Sequence, residues 1–368
     1  MSTVKYICLL LLSGLCLGSC KVGRFVYYNF ADIKDYRKFP SRTIEKSGTP
    51  YLYPAAAAGK APKALHIDGH DYPFEKYLED NQTVAFLVIQ NDTIQYEKYF
   101  RGYDAASIVP SFSVAKSITS ILIGCAIDDQ LIASIEEPVT NYIPELKQNG
   151  FDKVTIAHLL QMTSGLKYNE GYTNPFGDVA TFYYGRNLRR AIRKMKLKTD
   201  PGLQFEYASG NTQLLGLVLE RALKTRTVSA YAGEKLWRPL GMEYDASWSL
   251  DRKKNGLEKT FCCVNARARD FAKIGRLYLN KGNWNGRQIV SASWVEQSVR
   301  NDDTQNGSAW YYQYQWWMPS DRGDFLARGI LGQYIYVYPE KNLVIVRLGK
   351  NKGKANWPQL LSSLGQNY

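Results

Sequence analysis

Ser113 and Lys116 stand three residues apart in the run Ser111-Phe112-Ser113-Val114-Ala115-Lys116-Ser117. On a helix, residues at that spacing share one face, so a hydroxyl and an amine can meet. The apolar stretch 113–129 predicts such a helix. Its start leaves backbone N–H groups unpaired and carries the positive end of the helix dipole, which favours negative charge developing at Ser113. A serine hydroxyl needs a base to become a useful nucleophile. A lysine can be that base when burial and neighbouring cations lower its pKa. Lowering it by about three units from ~10.4 costs about 4 kcal/mol, which a buried polar cluster can sustain. The pair therefore suggests acyl transfer through a serine ester. The same residues also suit a plain helix start, with Ser113 as its cap.

Two further segments extend this chemistry. The loop Pro201–Asn211 precedes an apolar helix at 214–222 and carries Tyr207 and Ser209 two residues apart. A phenol beside an ammonium can drop its pKa and shuttle protons. Tyr207 is also one of 27 tyrosines, and packing its ring is the simpler role. Near the carboxyl end, Ala327-Arg328-Gly329-Ile330-Leu331-Gly332-Gln333 reads as the end of a strand. Its glycines permit close backbone approach. A strand N–H at Ile330 beside the N–H of Ser113 would make an oxyanion hole. A bulge or a tight turn would use the same glycines.

These groups need elements to hold them. Apolar, β-branched runs at 83–90 and 93–100 flank Asn91-Asp92 and predict a hairpin. Residues 130–240 read as mainly helical, broken at Gly165, Pro175, Pro201 and Pro239, and 267–280 as a further helix. An aromatic strand is expected over 310–317, another strand over 325–330, and a hairpin from 333–338 and 343–348. A closing helix is expected at 357–364. Strands at both chain ends with helices between them indicate an α+β fold: an antiparallel sheet built from both ends, flanked by helices, with a mainly helical subdomain.

The 368 residues are 45% hydrophobic and 22% charged, which excludes a disordered, collagen-like or coiled-coil chain. Lys5, an apolar run over 6–17 and Gly18-Ser19-Cys20 describe a secretory signal. Such a run is too short to span a bilayer. The end of the signal resembles that of a bacterial lipoprotein. On that reading residues 1–19 are removed, Cys20 carries the lipid, and acylation by two or more chains anchors the protein to a membrane of the cell envelope, facing the periplasm. Plain secretion with a chance cysteine is the alternative. Residues 20–63 then form a tether or N-terminal extension, with room for parts of it to pack on a globular domain at 64–368. Export makes nucleic acid an unsuitable partner despite the net charge of +13. The dense basic run 186–198 reads as a solvated helix face, or as a surface resting on anionic lipid or an acidic glycan. Cys125 reads as a small core residue, and the adjacent Cys262 and Cys263 are not expected to bridge. The segment 66–71, with His66 and His70, reads as a polar loop, and no metal site is expected.

Ser113-Val114-Ala115-Lys116, Tyr207-Ala208-Ser209 and Gly329-Ile330-Leu331-Gly332-Gln333 together resemble the three motifs of β-lactamase-related serine hydrolases, the superfamily of class C β-lactamases, penicillin-binding proteins and esterases. The run 158–166 and Arg269–Gly275 add to the likeness, which covers about residues 80–350. The motifs follow in order, 94 residues from Ser113 to Tyr207 and 122 from Tyr207 to Gly329. Their form is most similar to the 6-aminohexanoate-dimer hydrolase branch. The resemblance implies that fold, an acyl-enzyme on Ser113, proton transfer shared by Lys116 and Tyr207, and Ser209 orienting Lys116 or substrate. It also implies an oxyanion hole from the N–H groups of Ser113 and Ile330, set between Gly329 and Gly332. No cofactor is implied, and the substrate would be a small molecule or short peptide with an amide or ester bond. Two departures stand out. Ser209 replaces the Asn usual in β-lactamases, and Ala327-Arg328-Gly329 replaces Lys or His, Thr and Gly. The cation that grips a β-lactam carboxylate is therefore missing unless Arg328 turns inward. β-Lactamase or D-Ala-D-Ala carboxypeptidase activity, and a non-catalytic envelope binding lipoprotein, are the competing readings.

Overall fold

A computed structural model describes residues 21–28, 30–67, 69–301 and 307–368. The signal segment and Cys20 lie outside them. The first elements are helix α1 (Lys21–Tyr28) and strand β1 (Ser41–Ile44), followed by β2 (Thr83–Gln90) and β3 (Thr93–Tyr99). Asn91 and Asp92, at φ 50° and 58°, make the tight turn that matches the twist of two paired strands. A short strand β4 (Val109–Pro110) leads into helix α2 (Val114–Asp128). The middle of the chain supplies α3 (Asp178–Tyr184), α4 (Ser209–Ala222), β5 (Ala246–Ser249), β6 (Val264–Ala266) and α5 (Ala268–Leu279). The carboxyl end supplies β7 (Tyr312–Gln313), β8 (Trp316–Trp317), β9 (Phe325–Gly329), β10 (Gln333–Tyr338), β11 (Leu343–Gly349) and α6 (Trp357–Gln366).

The main sheet has the order β7-β8-β9-β10-β11-β2-β3, and every neighbouring pair is antiparallel. The amino-terminal hairpin thus joins the carboxyl-terminal strands along β11–β2, as the order of elements in the chain implied. Successive residues of β2 point to opposite faces. Leu87 and Ile89 enter the large core, with Phe271 and Ile274 of α5. Phe86 and Val88 enter a second core, with Trp357, Leu361 and Leu364 of α6. Coverage on both faces explains why β2 reads as one apolar run. Helix α2 is buried almost all round, which fits its lack of a polar face. A smaller antiparallel sheet, β1-β5-β6-β4, lies at the entrance to α2. Apart from the 14-residue α4, the middle region is helical in short pieces separated by turns.

Three expectations need correction. Residues 21–63 do not stand off as a tether: Phe25, Ile33, Phe39, Ile44 and Tyr53 are buried in the main core, and β1 pairs with β5. These apolar side chains gain more from burial than a free linker would from chain entropy. The aromatic segment 310–317 is not one strand. It folds back at Tyr314 and Gln315, both at positive φ, because Ser117 Oγ donates to the Gln315 carbonyl at 2.7 Å and the Gln315 amide donates to the carbonyls of Leu159 and Leu160. Finally, Cys262 and Cys263 are joined as a disulfide. The chain turns sharply there, with Cys263 at φ 74°, and the neighbouring sulfurs meet. Cys125 is buried and free. The basic run 186–198 is helical only over Leu188–Ile192, where the Asn187 side chain caps the start and Arg189 pairs with Glu220.

Candidate active site

Ser113 sits immediately before the first turn of α2, and its side chain makes no helix-capping bond. The turn is tight, with Phe112 at φ 44°. It is clamped to β6: the Ser111 N–H donates to the Val264 carbonyl at 2.7 Å, and the Val264 N–H donates to Ser111 Oγ at 3.0 Å. Backbone strain of this kind persists only where the surroundings over-determine it. Ser113 is left half-exposed at the floor of a cleft of about 610 Å³.

One helical turn on, Lys116 is 2% exposed. Its Nζ lies 3.0 Å from Ser113 Oγ, 3.0 Å from Ser209 Oγ and 2.9 Å from the Phe261 carbonyl oxygen. Burial pulls its pKa down to about 8, against an opposing pull from the Glu170 carboxylate. The sequence reading credited burial and nearby cations; burial is the cause, and the charged neighbour is an anion.

Ser209 opens α4 and is buried. Its N–H and its hydroxyl both donate to the Glu170 carboxylate, at 2.7 and 2.6 Å, and the Tyr172 hydroxyl donates to the same group at 2.8 Å. Tyr207 approaches from the loop before α4, with its hydroxyl near the Ser113 side chain and its ring centroid 5.1 Å from Lys116 Nζ. Trp317 and Tyr312 pack on that ring at 5.5 and 6.1 Å. Burial first, and then the Glu170 charge, raise the Tyr207 pKa well above that of a free phenol. The expectation of a lowered phenol is therefore reversed: at neutral pH this group carries its proton.

The third motif is explained residue by residue. Gly329 ends β9 where the strand crosses the nucleophile; a Cβ there would stand 2.5 Å from the Ser111 carbonyl oxygen and 3.2 Å from the Ser113 nitrogen. Gly332, at φ 83°, leaves room for the Arg347 guanidinium, which a Cβ would strike. Gln333 locks the base of the turn by exchanging amide hydrogen bonds with the Gly349 backbone at 2.7 and 3.1 Å. Between the glycines, Ile330 and Leu331 line the cleft, with Leu331 at φ 62°. Arg347 is buried and donates to the carbonyls of Leu331, Gly332, Asn81 and Asn351 and to Thr83 Oγ1. Its guanidinium lies 4.0 Å from the Trp357 ring centroid.

The structure thus brings Ser113, Lys116, Tyr207, Ser209, Gly329, Ile330 and Gly332 to one cleft. Arg328 reaches its rim with its guanidinium 5.5 Å from the Trp317 ring, whereas Ala327 is buried in the core. The sequence reading missed Glu170 and Arg347. Glu170 is the sole acidic residue between Gly165 and Gly177, and Arg347 the sole charge in the apolar strand Leu343–Gly349. Each was a usable signal.

Residues 74–356 match the family described as Beta-lactamase. The chain is 31% identical over 306 residues to a curated 6-aminohexanoate-dimer hydrolase of Paenarthrobacter ureafaciens, a match covering 77% of this chain and 75% of that protein. It superposes on a solved structure named "Putative 6-aminohexanoate-dimer hydrolase from Bacillus anthracis" with a TM-score of 0.82 and 25% identity, over 93% of this chain and 94% of that one. A family VIII carboxylesterase shares the fold at a TM-score of 0.62 and 17% identity, over 80% of this chain and 95% of that one. With fold, motif order and similarity in agreement, the chain is a serine hydrolase that belongs to the β-lactamase family.

Proposed function

We propose that the protein hydrolyses an amide or ester bond of a small molecule or short peptide through an acyl-enzyme on Ser113. The observation that carries this reading is the set of three partners around Lys116 Nζ. The Phe261 carbonyl can only accept. Ser209 has committed its proton to Glu170, so its oxygen also accepts from Lys116. A neutral amine has two N–H bonds for those two acceptors. Its lone pair is then left for the third partner, the hydroxyl of Ser113, 3.0 Å away. Lys116 is accordingly the base that takes the Ser113 proton as the hydroxyl oxygen attacks the carbonyl.

The oxyanion that forms is met by the backbone N–H groups of Ser113 and Ile330, which the close approach at Gly329 supports. Tyr207, a phenol that keeps its proton, donates it to the leaving nitrogen or oxygen and is reprotonated from Lys116. The acyl group stays on Ser113, the amine or alcohol leaves, and water attacks the ester by the same path in reverse. The curated relative's name points to the amide of a short linear oligomer as a first substrate to try. We place the mature protein in the bacterial cell envelope, lipid-anchored through Cys20.

Activity-based labelling tests the reading. A fluorophosphonate is expected to modify Ser113 in the wild type and to give no adduct in Ser113→Ala. An unlabelled wild type that turns over neither activated esters nor short amides would leave a binding protein instead. Nitrocefin is expected to be cleaved poorly, because position 327 holds a buried alanine and the nearest motif cation, Arg328, rests against Trp317 at the rim. Mass analysis of the mature protein for a diacylated Cys20 tests the anchor.

A further inference from the structure

One wall of the cleft comes in part from residues outside the family match. Phe30 and Ala31, which precede residue 74, line it together with Val179, Ala180, Tyr183 and Tyr184 of α3. This wall is built, not incidental. Helix α1 lies on α3 through Phe25 against Tyr184 at 5.3 Å and Tyr28 stacked on Tyr184 at 6.3 Å. The Tyr183 hydroxyl donates to Asp35 at 2.6 Å and its ring meets Phe39 at 5.1 Å. With that hydroxyl held by Asp35, Tyr183 gives the cleft mainly hydrocarbon. The charged side chains of the lining, Glu170, Arg328 and Lys352, belong to other segments: the loop before α3, β9 and the loop after β11. Phe30 is 49% exposed, and its ring makes a T-shaped contact with Phe25 at 5.8 Å. A phenylalanine held half in water at the mouth of a catalytic cleft lowers its free energy when an apolar ligand covers it.

We propose that Phe30 and Ala31 of the N-terminal segment, with α3, form a subsite for an uncharged hydrocarbon chain on one side of the scissile bond. The preferred substrates are then esters or amides bearing a linear apolar chain in place of a short or charged group. The inference rests on Ser113 being the acylated nucleophile. It adds that the segment preceding the family domain determines specificity.

The experiment is a series of p-nitrophenyl alkanoates from acetate to dodecanoate, with the full-length protein, Phe30→Ala and Ala31→Trp. Burying one methylene corresponds to about a fourfold gain in binding. The wild-type kcat/KM is expected to rise by about that factor per methylene through octanoate. The octanoate-to-acetate ratio should fall at least tenfold in Ala31→Trp, whose indole fills the subsite, and about threefold or more in Phe30→Ala. Fluorophosphonate labelling of Ser113 is measured on every variant. Labelled variants that keep the wild-type ratio overturn the proposal and leave the serine mechanism standing. A wild type that cannot be labelled removes the mechanism, and the subsite with it. Should Ala31→Trp fail to fold, Phe30→Ala removes an exposed ring and decides the question alone.

Discussion

Glu170 holds Ser209 at two points, accepting its backbone N–H at 2.7 Å and its hydroxyl at 2.6 Å. This fixes the direction of the Ser209 proton and so leaves Lys116 one partner, Ser113, able to donate to it. The same carboxylate raises the pKa of Lys116, while burial lowers it to about 8. A lysine base works only when neutral. Below its pKa the ammonium has no lone pair for the Ser113 proton, and above it the amine does. The kcat/KM profile is therefore expected to climb with pH along a limb centred near 8. In Glu170→Gln the opposing charge is gone, so the limb should move to lower pH. The plateau should fall at least tenfold, because one amide cannot accept both Ser209 donors. A profile unmoved by the substitution would separate Glu170 from the base.

The assignment of Tyr207 as proton donor separates substrates by leaving group. An amide nitrogen must be protonated to leave; p-nitrophenolate leaves without help. Tyr207→Phe is expected to lower kcat on a short amide by 10²-fold or more, in the range usual for loss of a general acid, and on a p-nitrophenyl ester by less than about tenfold. Steady-state rates on the two substrates check this. Equal losses would show that the ring's packing against Trp317 and Tyr312 is what the substitution disturbs.

Arg347 is a positioning residue. It touches no reacting atom but binds the carbonyls on both sides of the Leu331–Gly332 peptide link, and those residues carry the turn after Ile330. Arg347→Met fills the volume and leaves several buried carbonyls without a donor, each unsatisfied group costing about 1–3 kcal/mol of stability. The predicted kinetic signature is a fall in kcat of ten- to a hundredfold with KM little changed, since the N–H at Ile330 matters most when the oxyanion forms. Thermal unfolding read beside kcat and KM distinguishes this from a purely structural loss, which would reduce the active fraction and leave the pH profile and leaving-group dependence alone.

Much of this is legible in the sequence. The continuous apolar, β-branched runs at 83–90 and 343–348, the Asn91-Asp92 turn and the apolar helix after Ser113 are local signals, and local physics decides them. Each motif alone has a plainer use, and the three were legible because together, in order and at their spacing, they resemble one family. What escaped depends on contacts distant in sequence. Phe25 and Phe39 look like residues of a Pro-punctuated linker until Tyr184 and Tyr183 of α3 are placed against them. The bend at Gln315 exists because Ser117 and the Leu159–Leu160 carbonyls bind it from far along the chain. The Tyr207 proton was misjudged for the same reason. The neighbour that matters is Glu170, on another loop, and burial outweighs the nearby ammonium.

Gly329 offers the sharpest test of the oxyanion geometry. Its φ of −128° suits any residue, so an alanine meets no backbone penalty of its own. The penalty is distance: the added methyl would sit 2.5 Å from the Ser111 carbonyl oxygen, a backbone atom pinned to β6 through the Ser111–Val264 hydrogen bonds. Neither side can yield cheaply, so β9 must move away from the nucleophile and carry the Ile330 N–H with it. Loss of one oxyanion donor costs about 10²–10³ in kcat. Gly329→Ala is expected to lose activity on that scale on esters and amides alike, because oxyanion stabilisation precedes departure of either leaving group. It should keep a titratable Lys116, seen as an unshifted limb in the residual kcat/KM profile. A Gly329→Ala enzyme with near-normal kcat would show that the Ile330 N–H does not bind the oxyanion.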